Sequence, residues 1–213
     1  GEVLHFYNWD TYIDPQILAD FEAKFGVTID YQVYDSDLDL MEELIAGGTP
    51  YDLVVPSDYV ADLLRREKLL HPLRKENIPN FNNIAPDFVN PSFDPGNRYC
   101  APYQWGTIGI GYNLAATGRE ITSWKDVFDA QFAGRVSMMD EPRYTLGVIL
   151  VYLGYSPNTT NAAEIQAAVE FLNTHVQQIG GFSGDDAQDL LSNGTFDLVM
   201  EWSGDIFQVM EEN

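Results

Sequence analysis

The sequence has little cysteine and little positive charge. Cys100 is the only cysteine among 213 residues, so neither an intramolecular disulfide nor a cluster of thiolate metal ligands is expected. Lys and Arg total 11 against 33 Asp and Glu, which gives a formal net charge of −22 and a pI near 4.1. Nucleic acid and anionic lipid both require clustered Lys and Arg. The charge balance therefore argues against these partners and permits a cationic ligand.

The sequence also lacks long apolar segments. It has no run of the about 18 apolar residues that a membrane-spanning helix needs, so membrane insertion of this segment is not expected. The N-terminus has neither the basic nor the apolar region of a signal peptide, and Gly1 to Phe6 already has the pattern of a strand. Two alternatives remain open from the residues alone. The protein is either cytosolic, or exported with its leader removed.

Apolar segments of the first hundred residues alternate between strand-like and helical patterns. The hydrophobic content of 45% is typical of a folded chain. Val3 to Asn8 and Val27 to Tyr34 have the pattern of strands, and Leu53-Val54-Val55 indicates a third strand that is short and buried. Helical patterns follow each of them. This alternation predicts βαβ units and a mostly parallel sheet, hence an α/β fold.

The first predicted helix has clear signals at both ends. Asp14 is expected to be its N-cap and Pro15 its first helical residue, and Gly26 is expected to end it. Its apolar stripe consists of Ile17, Leu18, Phe21 and Phe25.

A change of composition divides the chain. Five prolines fall in residues 72–98, which predicts irregular, turn-rich chain. A second αβ series follows, with a helix near Trp124 to Phe128 and an amphipathic helix from Ala162 to Gln177. We therefore predict one α/β lobe over residues 1–106 and a second over residues 107–213, with a hinge near residues 106–113.

The motifs of common enzymes fail on inspection. The three histidines have no metal-ligand spacing. The glycines from Gly106 to Gly111 lack the third glycine and the helix of a dinucleotide-binding fingerprint. Ser183 lies outside a proper GxSxG elbow. We therefore expect no catalytic residues, no bound metal and no cofactor.

Four aromatic and polar clusters follow predicted strands. In an open parallel sheet, ligands bind outside the carboxyl ends of the strands, so we expect two clusters per lobe on one side of the molecule. Carboxylates pair with ammonium groups, and aromatic faces attract the cation and stack on methylenes. This combination of aromatic and acidic side chains is suited to binding an amine on an alkyl chain. The clusters are Tyr7 to Tyr12, Val55 to Tyr59, Asp140 to Tyr144 and Glu201 to Asp205.

The order of these motifs resembles the spermidine/putrescine-binding proteins of bacterial ABC importers. The resemblance rests on Tyr-Asn-Trp-x-x-Tyr at 7–12, Tyr-Asp-Leu-Val-Val-Pro-Ser-x-Tyr at 51–59, Pro-Tyr-x-Trp-Gly at 102–106 and Trp-Ser-Gly at 202–204, and it spans the whole chain. It implies a periplasmic-binding-protein fold of two lobes with a cleft that closes on a polyamine. It also implies a secreted or lipid-anchored protein that has no catalytic activity and delivers its ligand to a membrane permease.

The resemblance also implies a set of ligand-binding residues. In the first lobe, an aromatic residue and a tyrosine enclose the polyamine beside a carboxylate, and a serine and a tyrosine follow the third strand. In the second lobe, an acidic residue and a tryptophan perform the same roles. The matching positions are Trp9, Asp10, Thr11, Tyr12, Ser57, Tyr59, Glu141, Tyr144 and Trp202.

Three departures from the family pattern are visible. Asp10 and Thr11 stand where the family commonly has Thr-Glu, and Tyr144 stands where some spermidine binders have a second carboxylate. Family members continue past residue 213 and return to the first lobe, so we expect a C-terminally truncated form whose first lobe lacks this return segment. A binding protein for another small amine or solute, or a sensor module, is the alternative.

Overall fold

The computed structural model describes residues 1–10, 12–184 and 186–212. The chain divides into two compact units, Gly1–Trp105 and Gly106–Asn213. The elements of the first unit are β1 (Val3–Trp9), α1 (Pro15–Phe25), β2 (Thr28–Tyr34), α2 (Asp37–Ala46), β3 (Leu53–Val54) and α3 (Asp58–Arg66).

A parallel sheet forms the centre of the first unit. Its strand order is β2-β1-β3, with Tyr7 opposite both Gln32 and Val54. Because the three strands are parallel, their carboxyl ends lie at one edge of the sheet. The buried core on one face of this sheet consists of Tyr7, Tyr34, Leu40, Val60 and Leu64.

Helix α1 begins and ends where the sequence predicts. The Asp14 carboxylate accepts a hydrogen bond of 2.8 Å from the Gln16 N–H, Pro15 is the first helical residue, and Gly26 ends the helix with a φ of 66°. Its apolar stripe, however, is not buried. Ile17 and Phe25 are each 57% exposed, because no other element of the described residues covers this side of α1.

Strand β3 corrects one prediction. Leu53 was expected to be buried, but it is 47% exposed. It pairs with Phe6 and so lies on the sheet face opposite the Tyr7 core. Within the described sheet β3 is also an edge strand, which leaves Leu53 little to pack against.

The proline-rich segment is irregular, as predicted, and a buried carboxylate organises its last part. Short 3-10 turns occupy Lys75–Asn77, Pro79–Asn83 and Pro86–Phe88. Asp94 is buried and accepts hydrogen bonds from the N–H groups of the three residues 98–100. Burial, with a further contribution from Asp94, raises the pKa of the Cys100 thiol to about 11, so this thiol is protonated at neutral pH.

The second unit has a mostly parallel sheet in the order β4-β7-β5-β6. Strand β5 runs parallel to β6 and β7, and β4 runs antiparallel to β7. This agrees with the predicted α/β class. The elements are β4 (Ile108–Tyr112), α4 (Leu114–Thr117), β5 (Val136–Met139), α5 (Pro142–Tyr152), α6 (Ala162–His175), β6 (Gly181–Ser183), α7 (Ala187–Ser192), β7 (Leu198–Trp202) and α8 (Ser203–Glu212).

Two local features shape the second unit. The helix predicted near Trp124 is a 3-10 helix over Trp124–Phe128, and the Asp126 carboxylate caps its start by accepting hydrogen bonds from the N–H groups of Thr122 and Ser123. A Cβ atom at Gly111 would clash with the Ile206 side chain, so any larger residue here would force that side chain to shift. Helix α8 therefore packs closely over β4.

Among the described residues, the helices are too short or too polar to cross a bilayer.

Candidate ligand-binding edges of the two sheets

The carboxyl edge of the first sheet carries a group of aromatic side chains, which we call the first edge. Trp9 ends β1, Tyr34 ends β2, and the centroids of their rings are 4.6 Å apart. The Tyr12 ring lies 6.1 Å from Trp9 on the loop after β1. Ser57 and Tyr59, at the start of α3, follow the third strand of the same sheet. The structure thus places Trp9, Tyr12, Ser57 and Tyr59 of the predicted site at one edge.

Hydrogen bonds from buried groups hold the first edge in place. The Tyr34 hydroxyl donates to the Val55 carbonyl and so links the chain after β3 to β2. Asp37, which is fully buried, accepts a hydrogen bond of 3.3 Å from the Ser57 N–H. Neither Tyr34 nor Asp37 was among the predicted site residues. The sequence feature that could have identified Tyr34 is its position at the end of a predicted strand.

The loop after β1 is tied to the segment before residue 106. The Tyr12 carbonyl accepts hydrogen bonds from the Tyr103 hydroxyl at 2.6 Å and from Nε2 of Gln104 at 3.1 Å. This brings Tyr103 to the first edge, where half of its surface is exposed. Asp10 is exposed on the same loop. The predicted role of Thr11 falls outside the described residues.

The carboxyl edge of the second sheet, the second edge, has a comparable composition. Trp202 ends β7, and the Tyr144 ring meets it edge-to-face at 5.0 Å with an interplanar angle of 77°. Glu141 is the N-cap residue of α5, directly after β5, and is only 8% exposed. Its carbonyl accepts hydrogen bonds from the N–H groups of Tyr144 and Thr145, so the helix start sets the position of Tyr144.

Asp205 adds a carboxylate that the sequence prediction did not include. It lies in the first turn of α8, three residues after Trp202, and is partly buried. Burial raises the pKa of the Asp205 carboxyl above its ordinary value. The charged form of such a partly buried carboxyl group is stabilised when a cation binds beside it. Its sequence signal was its place in the fourth aromatic and polar cluster.

The chemistry of both edges favours cations on apolar chains. Aromatic rings attract an ammonium group and pack on methylenes, and carboxylates supply the opposite charge. Residues 1–10, 12–184 and 186–212 contain no group of three or more His, Cys, Asp or Glu that could hold a metal ion.

The chain is similar to bacterial solute-binding proteins. The family model of bacterial extracellular solute-binding proteins matches residues 16–213. The spermidine/putrescine-binding periplasmic protein of Escherichia coli is 35% identical over 97% of this chain, and the putrescine-binding periplasmic protein of Pseudomonas aeruginosa is 37% identical over 98%. Their names describe binding proteins and not enzymes. The chain spans 60% of the length of both relatives.

Solved structures agree on the fold. A Listeria monocytogenes protein, provisionally named as a spermidine/putrescine ABC transporter, is 35% identical and has a TM-score of 0.95. It is matched over 100% of this chain and 66% of its own. A lipoprotein of Treponema pallidum is 30% identical with a TM-score of 0.90, over 98% of this chain and 66% of its own.

Proposed function

The chain belongs to the bacterial extracellular solute-binding protein family, and we propose that it captures a polyamine, spermidine or putrescine, for delivery to an ABC importer. The proposal assigns the protein no catalytic step. Its ligand contacts are the predicted residues of the two edges together with Asp205.

One observation carries this proposal: each sheet has aromatic rings and carboxylates together at its carboxyl edge. The first edge combines Trp9 and Tyr12 with the exposed Asp10. The second combines Trp202 with Glu141 and Asp205, both at the N-terminal ends of helices. An ammonium group that leaves water needs a nearby opposite charge, or its desolvation is uncompensated. We infer that the carboxylates of each edge supply this opposite charge to an ammonium group.

The second edge also bears on which amine binds. Tyr144 packs on Trp202 with a phenol ring, whereas the resemblance implies a carboxylate at this position in some spermidine binders. An aromatic ring in place of a carboxylate favours methylene contact over a further ammonium group. A different small amine is therefore the second candidate for the ligand.

The cellular setting follows from the relatives. Their names describe periplasmic proteins, and a Streptococcus pneumoniae structure that is 32% identical is named as the substrate-binding protein of a spermidine/putrescine ABC transporter. We infer an extracytoplasmic location and a membrane permease as the protein partner. A sensor with the same fold would bind the amine without stimulating an importer's ATPase in reconstituted vesicles.

Calorimetric titration of the 213-residue chain tests the proposal. Spermidine or putrescine is expected to bind, whereas butanediol, the uncharged analogue of putrescine, is expected not to bind. Asp10→Asn and Glu141→Gln should each weaken binding, and Glu42→Gln, on an exposed position of α2, should not. If both edge variants bind as tightly as the unchanged chain, the assigned contacts are wrong.

A further inference from the structure

A recess in the second unit lies beside the second edge and is used by none of the contacts assigned above, except that it shares Glu141. Its volume is about 170 Å³. It opens where β5 and β6 end, between the start of α5 and the facing side of α6. Its apolar wall is formed by Met139, Leu146, Val169, Leu172 and Phe182.

The wall is suited to a flat apolar group. Phe182 lies on the edge strand β6 and is 44% exposed, so a ring seated against it would remove apolar surface from water. Thr145 is the polar residue within the wall, and its hydroxyl already donates to the Met139 carbonyl at 2.7 Å. The volume is comparable to the about 150 Å³ of an enclosed apolar cavity that holds a benzene-sized guest, although this recess is open on one side.

Two acidic residues lie at one end of the recess. Asp140 and Glu141 line it at the carboxyl end of β5, directly before Pro142 begins α5. Asp140 is exposed, whereas Glu141 is almost buried. A ligand that fits both ends has a cationic head beside the carboxylates and a ring or short alkyl tail against Phe182 and Leu172.

We propose that this recess binds a monoamine that carries an aromatic ring on a short alkyl chain, a ligand class separate from the polyamines. The apolar wall supplies contact with the ring, and Asp140 and Glu141 supply the charge for the ammonium group. The proposal does not require polyamine binding, although both ligands use Glu141 and are therefore expected to compete.

Titration of the 213-residue chain with phenethylamine tests the proposal, with amide chemical shifts as the readout. Phenethylamine is expected to bind and to shift residues around Phe182. Ethylamine, which lacks the ring, and phenethyl alcohol, which lacks the charge, are expected to bind more weakly. Equal binding of the alcohol would overturn the role of the carboxylates, and equal binding of ethylamine would overturn the role of the wall.

Substitutions then locate the site. Val169→Phe fills the recess from α6 and should weaken the binding of phenethylamine by about tenfold or more. This is the scale on which an apolar pocket discriminates between ligands by size. Ile165→Phe, a matched change outside the recess on the same helix, should leave affinity unchanged. Asp140→Asn, at an exposed position, should also weaken the binding of phenethylamine. If neither Val169→Phe nor Asp140→Asn weakens binding, the proposal is overturned.

The two proposals fail separately. If spermidine binds and phenethylamine does not, the recess proposal is overturned and the polyamine proposal stands. If phenethylamine binds with the expected sensitivity to Val169→Phe and no polyamine binds, the recess proposal stands and the polyamine proposal is wrong.

Discussion

Trp9 and Trp202 are both partly buried, and each packs against the hydrophobic core of its own unit. Replacing either by Ala should weaken spermidine binding by roughly 1–3 kcal/mol, as expected for loss of a stacking and cation–π contact. Calorimetry measures the effect, and Phe25→Ala, an exposed aromatic at the far end of α1, is the control. Unchanged affinity in both variants would contradict the stacking role.

Asp205 should make stability and ligand binding depend on pH in opposite directions. Its pKa is raised by burial, so the folded state binds this proton more tightly than the unfolded state does. The stabilising contribution is therefore fully present below the ordinary Asp value of about 4 and is lost as pH rises through the higher folded value. In the proposed function the amine pairs with the Asp205 carboxylate, so affinity should fall as pH falls through the same value.

Asp205→Asn separates these effects. At neutral pH the variant should melt at a higher temperature than the unchanged chain, and the difference should disappear at acid pH. Its affinity for spermidine should be lower at neutral pH. Thermal unfolding across pH checks the first expectation, with Asp189→Asn, an exposed position on α7, as the control. A variant that is less stable than the unchanged chain at neutral pH would show that burial of this charge is not costly.

At the scale of elements, α1 depends on its ends more than on its stripe. The helix has no buried residue, whereas Asp14 satisfies the Gln16 N–H at its start. Asp14→Ala should lower the free energy of unfolding by about 1 kcal/mol, the usual contribution of an N-cap, and Asp14→Asn should retain most of it because Asn caps equally well. Denaturant unfolding measures both. Equal loss in the two variants would mean that charge, and not the cap, matters.

At the scale of the whole molecule, the charge of −22 dominates. Like charges repel one another in the compact state, and salt screens this repulsion over a Debye length of about 8 Å at physiological ionic strength. The free energy of unfolding should therefore rise as sodium chloride is added from low ionic strength. Association with spermidine should slow over the same range, because the same field attracts the cation. A chain that loses stability as salt is added would show that attractive ion pairs outweigh the repulsion.

The sequence by itself determined the features that depend on neighbouring residues and on periodicity. The cap at Asp14-Pro15, the stop at Gly26, the alternation of strands and helices, and the aromatic and polar clusters after the strands were all readable. These depend on short-range hydrogen bonds and on the side-chain period, which the local sequence specifies. The same clusters carried the resemblance to the family.

Only the tertiary structure decided which of these groups are covered and which meet. The stripe of α1 and Leu53 are exposed because burial depends on elements distant in sequence. Tyr103 reaches Tyr12 across 91 residues, and the Asp205 pKa rises because folding removes water around it. Desolvation and contacts between distant residues have no signal in the local pattern, because both are created only when the chain folds.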